Sequence, residues 1–292
     1  MLRKIGVIGA GMTGQGISWC AAQNGIDVIF KEVNQEAVDE ALKSLSAQLD
    51  NEIERWALTK SEKAVILSRV RGTTRYEDLA DCQFIIESIP DTLDAKKILY
   101  QDAESCFPPE VPVASNTSVL SISELASHLK NPHRMVGMHF LNPVHRRPLV
   151  EIVRGLNTSE DAVRKAREFG EAIGKTCVEV FESPGYVTTR LIIPFVNEAM
   201  TLVMEGIANA ADVDAAMRLG YDFPMGPLEI ADRAGLDEIM FWMEELFSEF
   251  GSARYRPNTL LRKMVRAGQL GVKTGQGFFK YDRQGRRMDN AG

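Results

Sequence analysis

Ile5-Gly6-Val7-Ile8-Gly9-Ala10-Gly11-Met12-Thr13-Gly14 opens the chain with a short apolar run that breaks into three spaced glycines. Ile17 to Asn24 follows as a small-residue helical pattern that stops at Gly25. A G-x-G-x-x-G turn between a strand and a helix is the setting in which this motif binds a dinucleotide. The first glycine makes the tight turn, the second lets the backbone approach a pyrophosphate, and the third lets helix pack closely on strand. Free N–H groups at the helix start then face the anion. The same glycines would suit a tight turn that binds nothing, so the next strand matters. Asp27-Val28-Ile29-Phe30 ends at Glu32. A carboxylate about 20 residues past the turn accepts hydrogen bonds from the adenosine ribose and repels a 2′-phosphate, which favours NAD over NADP. Lys31 stands beside it, and its cation would tolerate the phosphate if turned toward the ribose.

Outward from this opening the alternation continues. Gln35 to about Trp56 carries Ala37, Val38, Ala41, Leu42, Leu45 and Leu49 at helical spacing. Phe84 to Ile86, Val111 to Ala114 and Met135 to Met138 read as strands, and Ala95 to Cys106 as a helix. Strands alternating with helices imply an α/β domain with a doubly wound, mostly parallel sheet covered on both faces. Near Ser183-Pro184-Gly185 the pattern changes to amphipathic helices such as Tyr186 to Glu205 and Asp212 to Leu219. We place a boundary there, with a nucleotide-binding domain over 1–183 and an all-α domain over 184–292. Pro194 should kink the first of these helices or end it early. The residues after about Arg283 are expected to be disordered.

The 292 residues carry a net charge of -6 and 45% hydrophobic side chains. That is enough to bury two cores and leaves no basic field for nucleic acid or an anionic membrane. Cys20, Cys82, Cys106 and Cys177 lie far apart, without metal-ligand or redox spacing, so no metal is expected. No signal peptide and no membrane-spanning run is legible, and the expected location is the cytoplasm.

A second constellation lies further on. His139 is read as directly following the strand Met135 to Met138, where a sheet edge meets a dinucleotide crevice. Oxidising an alcohol by hydride transfer needs a base for the hydroxyl proton, and imidazole can take and return it. Glu151 interrupts the apolar run Leu149-Val150-Glu151-Ile152-Val153, and a histidine partner would explain it. Alone, His139 reads as a structural histidine and Glu151 as an edge-strand carboxylate. Their combination with Ser115-Asn116-Thr117-Ser118, which follows a strand, points to chemistry; by itself that run reads as a helix N-cap.

These segments resemble the L-3-hydroxyacyl-CoA dehydrogenases, especially the bacterial 3-hydroxybutyryl-CoA branch. The matching stretches are GAGMTGQG at 9–16, SNTS at 115–118, GMHFLNPV at 137–144, LVEIV at 149–153, SPGYVTTRL at 183–191, GYDFPMGPLEIADRAGLD at 220–237 and KTGQGFFKY at 273–281. The resemblance implies a Rossmann-like NAD domain, a helical domain that mediates homodimerisation, and an active site in the cleft between them. It implies that His139 is the base, Glu151 its electrostatic partner, and Ser118 a contact to the substrate oxygen and the nicotinamide. Asp91, Lys96, Asn142 and Lys273 match positions that touch NAD. The implied reaction is reversible oxidation of a short-chain hydroxyacyl thioester.

Two departures stand out. Thr189 occupies the place where the family usually has the Asn that helps hold the substrate carbonyl, and a hydroxyl has shorter reach. The family's lysine-rich helix is acidic here, at Asp50-Asn51-Glu52-Ile53-Glu54, with Arg55 near the expected cation position and Lys60 and Lys63 later. These carboxylates either repel a CoA phosphate or form a solvated face. Two further readings stay open on the residues alone: a dehydrogenase of a free hydroxy acid, sugar-acid or carnitine-like, and a cofactor-binding relative with little turnover.

Overall fold

A computed structural model describes residues 2–288 and divides the chain into two compact units, Met1–Ser183 and Pro184–Gly292. The first unit runs β1 (Lys4–Ile8), α1 (Met12–Gln23), β2 (Asp27–Lys31), α2 (Gln35–Glu54), α3 (Lys60–Ser68), β3 (Val70–Thr73), β4 (Ile85–Glu87), α4 (Leu93–Ala103), β5 (Val113–Ser115), α5 (Ile122–Ala126), β6 (Met135–Phe140), β7 (Leu149–Arg154), α6 (Glu160–Ala172) and β8 (Thr176–Phe181). The strands form one eight-stranded sheet in the order β3-β2-β1-β4-β5-β6-β7-β8. Every neighbouring pair is parallel except β6 and β7. The chain therefore winds outward from β1 to β3, then returns to β4 on the other side of β1. That reversal opens a crevice at the carboxyl ends of β1 and β4, where doubly wound sheets bind ligands.

The core explains the strand composition. Ile5, Val7, Val28, Phe30, Phe84, Ile86, Val136 and Met138 are buried in one cluster with Ile17, Leu45 and Phe169 from the helices. Strands covered on both faces read as continuous apolar runs. Three elements of this unit have no strong period in the sequence. β3 contains Arg71 and Gly72, β8 is an edge strand with mostly exposed or half-exposed side chains, and α3 buries only Ile66. α3 is instead specified by its start, a capping box in which Thr59 and Glu62 satisfy each other's backbone N–H groups.

The second unit contains α7 (Thr188–Met204), α8 (Ala210–Gly220), α9 (Pro227–Ala234), α10 (Leu236–Phe250) and α11 (Thr259–Arg266), closed by the two-residue strands β9 (Lys280–Tyr281) and β10 (Arg287–Met288). Its core joins Ile193, Val196, Met200, Leu228, Met243 and Tyr255. Pro194 does not end its helix: α7 continues to Met204, because Ile193, Val196 and Met200 are buried on one face and hold the turn that lacks a donor. The expected disorder after Arg283 is also corrected within the described residues. Asp282 accepts from the backbone N–H groups of Gln284 and Arg286, forming a turn that pairs β10 with β9. The rest of that expectation lies outside the described residues. Buried Asp232 ties β9 to α9 by accepting from Phe278 N and Phe279 N, both at 2.9 Å, and from the Tyr281 hydroxyl at 3.0 Å. Its burial pushes the carboxyl up to about 6, against the pull of those donors.

Candidate active site

The glycine turn is built as its spacing predicts. A side chain on Gly14 would place its Cβ 1.9 Å from the Gly9 carbonyl oxygen, so helix and turn touch only because both are glycine. Gly9 has φ +90°, and a Cβ there would meet the Ser88 carbonyl at 2.7 Å. Gly11 is different. Nothing lies within 4 Å of its missing Cβ, so the protein's own packing does not demand a glycine there. A diphosphate approaching the backbone does. α1 begins at Met12 with no side-chain cap and no acidic residue in its first turn, which leaves the positive end of the helix for an anion.

Glu32 follows β2 and accepts from Ala10 N at 2.5 Å and Val33 N at 3.2 Å, so the acid and the turn are fixed to each other. Lys31 beside it lies 4.1 Å above the centre of the Tyr76 ring. A cavity of about 180 Å³ lies alongside, lined by Gly9, Glu32, Val33, Tyr76, Ile89 and Ile98 among others. Its apolar walls beside a carboxylate suit an adenosine. These residues fit NAD.

His139 is not placed after its strand, as the sequence suggested, but inside it: β6 extends to Phe140 because β7 pairs with its last four residues, Gly137 to Phe140. That pairing is the antiparallel one, and its register sets His139 directly opposite Glu151. Side chains of directly opposed residues leave the same face of the sheet about 5 Å apart. Here His139 Nδ1 lies 2.6 Å from Glu151 Oε2, with both side chains buried. On its other side, His139 Nε2 is 3.2 Å from Ser118 Oγ. A carboxylate only accepts, so Nδ1 carries a proton, and in the neutral ring Nε2 presents its lone pair to the Ser118 hydroxyl.

The run from Ser115 to Ser118 is held from below. Asn116 Oδ1 accepts from Phe140 N at 3.1 Å, and Asp91 Oδ2 accepts from Ser118 N at 3.0 Å and from Thr117 Oγ1 at 2.8 Å. Lys96 has no exposed surface; its ammonium sits 2.6 Å from Glu87 and 3.4 Å from Asp91. Tyr100 donates to Glu87 at 3.1 Å, and burial followed by the nearby Glu87 charge holds the phenol well above its usual range. Sequence reading missed Glu87 and Tyr100. The signal was available: Glu87 terminates the apolar run Phe84-Ile85-Ile86, as odd a charge there as Glu151 in its own strand.

Asn142 meets the start of α1, donating from Nδ2 to Thr13 Oγ1 at 3.0 Å. The acidic end of α2 resolves into two kinds of group. Asp50 is exposed and paired with Lys63 at 2.6 Å, whereas Glu52 is buried and holds Arg55 at 3.4 Å and Arg146 in a shorter contact. Glu52 is therefore neither a solvated face nor a free negative charge. His145 stacks on Trp19 with ring centroids 4.1 Å apart, and burial lowers its basicity. In the second unit, Thr189 is buried in the first turn of α7, and Lys273 pairs with Asp237 at 2.5 Å.

Comparison with known proteins agrees with this geometry. The family model described as 3-hydroxyacyl-CoA dehydrogenase, NAD binding domain, matches residues 4–183, and the one for the C-terminal domain matches 185–281. The 3-hydroxybutyryl-CoA dehydrogenase of Clostridioides difficile is 41% identical over 96% of this chain and 100% of its own. That of Bradyrhizobium diazoefficiens is 37% identical over 96% of each. The crystal structure of (S)-3-hydroxybutyryl-CoA dehydrogenase from Ralstonia eutropha superposes with a TM-score of 0.89 at 37% identity, covering 97% of this chain and 100% of that one.

Proposed function

The chain belongs to the 3-hydroxyacyl-CoA dehydrogenase family, and from that premise we propose that it interconverts a short-chain L-3-hydroxyacyl-CoA, of the 3-hydroxybutyryl type, and the 3-oxoacyl-CoA. The observation that carries the reading is the chain of contacts from Glu151 through His139 to Ser118 at a sheet edge beside a dinucleotide turn. NAD, when bound, supplies the acceptor for the hydride leaving the hydroxyl-bearing carbon. His139 Nε2 takes the hydroxyl proton, and Glu151 stabilises the imidazolium that forms. Ser118 Oγ, already within reach of Nε2, orients the same oxygen. In the reverse direction His139 returns the proton.

In this reading Gly9, Ala10, Gly11, Met12, Thr13 and Gly14 cradle the diphosphate, Glu32 takes the ribose, and Asp91, Asn142 and Lys273 complete the cofactor side, whereas Lys96, expected there from the family pattern, is fully buried and acts from behind Asp91. Arg55 and Thr189 belong to the substrate side. The N-terminal unit is the NAD domain, and the helical unit serves substrate and dimer. Exposed Leu191, Ile207, Leu219 and Tyr221 on that unit support a homodimer. Sedimentation velocity of the purified chain should give twice its 32.4 kDa mass; a monomer at all concentrations would rule the dimer out. No helix of the described residues is long and apolar enough to cross a membrane, and the cysteines are free. Both are compatible with a cytoplasmic enzyme.

The test is acetoacetyl-CoA reduction followed by NADH absorbance, with free acetoacetate and NADPH as alternatives. Rapid turnover is expected with the thioester and NADH. A like charge a few ångström from Glu32 costs on the order of 3 kcal/mol at an effective dielectric of about 20, so NADPH should serve about 100-fold less well. Preference for the free acid would overturn the thioester reading.

A further inference from the structure

Glu87 has no exposed surface, and the register of three strands places it at a junction. It lies directly between Ile8, which precedes the glycine turn, and Ser115, which begins the run leading to Ser118. Glu87 Oε1 accepts from Ile89 N at 2.8 Å and from Lys96 at 2.6 Å. Oε2 accepts from Lys96 at 2.8 Å, Tyr100 at 3.1 Å and Ser115 Oγ at 2.6 Å. A buried ion pair contributes little net stability over apolar groups of the same volume, so its retention calls for a geometric reason.

Two routes lead from Glu87 to Ser118. One is direct: the bond to Ser115 Oγ fixes the first residue of the run. The other passes through Lys96 to Asp91, whose second oxygen accepts from Ser118 N and from Thr117 Oγ1. We propose that Glu87 is a positioning residue for the reaction, which holds both ends of the Ser115 to Ser118 run and thereby sets Ser118 Oγ at its 3.2 Å approach to His139 Nε2. It touches neither the substrate nor the reacting hydrogen. The inference rests on His139, Glu151 and Ser118 being the reacting groups. Neutralising Glu87 leaves Lys96 with Asp91 as its charge partner. The ammonium then draws Asp91 away from Ser118 N, and the bond from Ser115 Oγ loses its charge assistance.

A double-mutant cycle of Glu87→Gln with Ser118→Ala tests this by turnover at saturating NADH, with thermal unfolding as the folding control. Misplacing a reacting group by about 1 Å costs about 10²-fold. Glu87→Gln alone should therefore lower kcat by about 30- to 100-fold. In the Ser118→Ala background, where the hydroxyl that the run positions is gone, the added change should cost less than about 3-fold. The full loss in both backgrounds would overturn the proposal, because a merely structural role acts whether or not Ser118 is present. Ser115→Ala removes one bond and leaves the ion pair in place, so it serves if Glu87→Gln does not fold. It should cost about 10-fold and show the same dependence on Ser118. Wild-type turnover in Ser118→Ala itself would overturn the assignment of the site and this inference with it, whereas a slow Ser118→Ala with an additive Glu87→Gln would overturn this inference alone.

Discussion

Replacing His139 with Gln is expected to lower turnover by about 10⁴-fold while changing NADH affinity by no more than about two-fold. A carboxamide matches the ring in polarity and can still donate toward Glu151, but it takes up no proton at neutral pH. The backbone of His139 stays in β6, a strand paired on both sides, so the sheet and the glycine turn after β1, three strand positions away in the order, are left as they were. Steady-state kinetics together with NADH fluorescence titration separates the two effects. Turnover within tenfold of the unmodified enzyme would place the base elsewhere.

Glu151→Gln is expected to cost on the order of 10³-fold in kcat. The amide oxygen can accept from Nδ1 where the carboxylate now does at 2.6 Å, so ring orientation is largely kept. What disappears is the negative charge that stabilises the imidazolium in a site from which water is excluded, where such a charge acts strongly. Glu151→Asp keeps the charge but withdraws it by one methylene from a ring that β6 does not allow to follow, and should fall between the two. The check is kcat at saturating substrate for the three proteins, with unfolding temperatures to exclude loss of fold. A Gln variant as fast as the unmodified enzyme would reduce Glu151 to a structural carboxylate.

The two predictions differ in how visible their residues were. His139 and Glu151 each drew attention as polar groups in apolar runs, but only the register of β6 on β7 makes them partners. In a parallel pairing the two would not have been forced opposite each other at twelve residues' separation. The strand end was misjudged by two residues because Phe140 continues an apolar pattern that the following Leu141-Asn142-Pro143 obscures. Glu52 gave the opposite lesson. Its charge suggested either repulsion of phosphate or a solvated helix face, and its actual partner, Arg146, lies 94 residues away, beyond any period of a helix or strand.

What the sequence by itself determined is local. The Gly9, Gly11 and Gly14 turn, the acid at Glu32, the alternation of apolar strands with amphipathic helices, and the family likeness of the short motifs all depend on residues within about one strand-helix unit of each other. Backbone sterics and hydrophobic period act over that range, so they can be read from order alone. Only the tertiary structure decided which charges meet which partners: Glu87 with Lys96, Tyr100 and Ser115, Asp91 with Ser118, Glu52 with Arg146, and Lys31 with Tyr76. A buried charge must find a partner, but chain order does not name it, because the partner is chosen by strand order and register, which bring distant residues to one sheet edge.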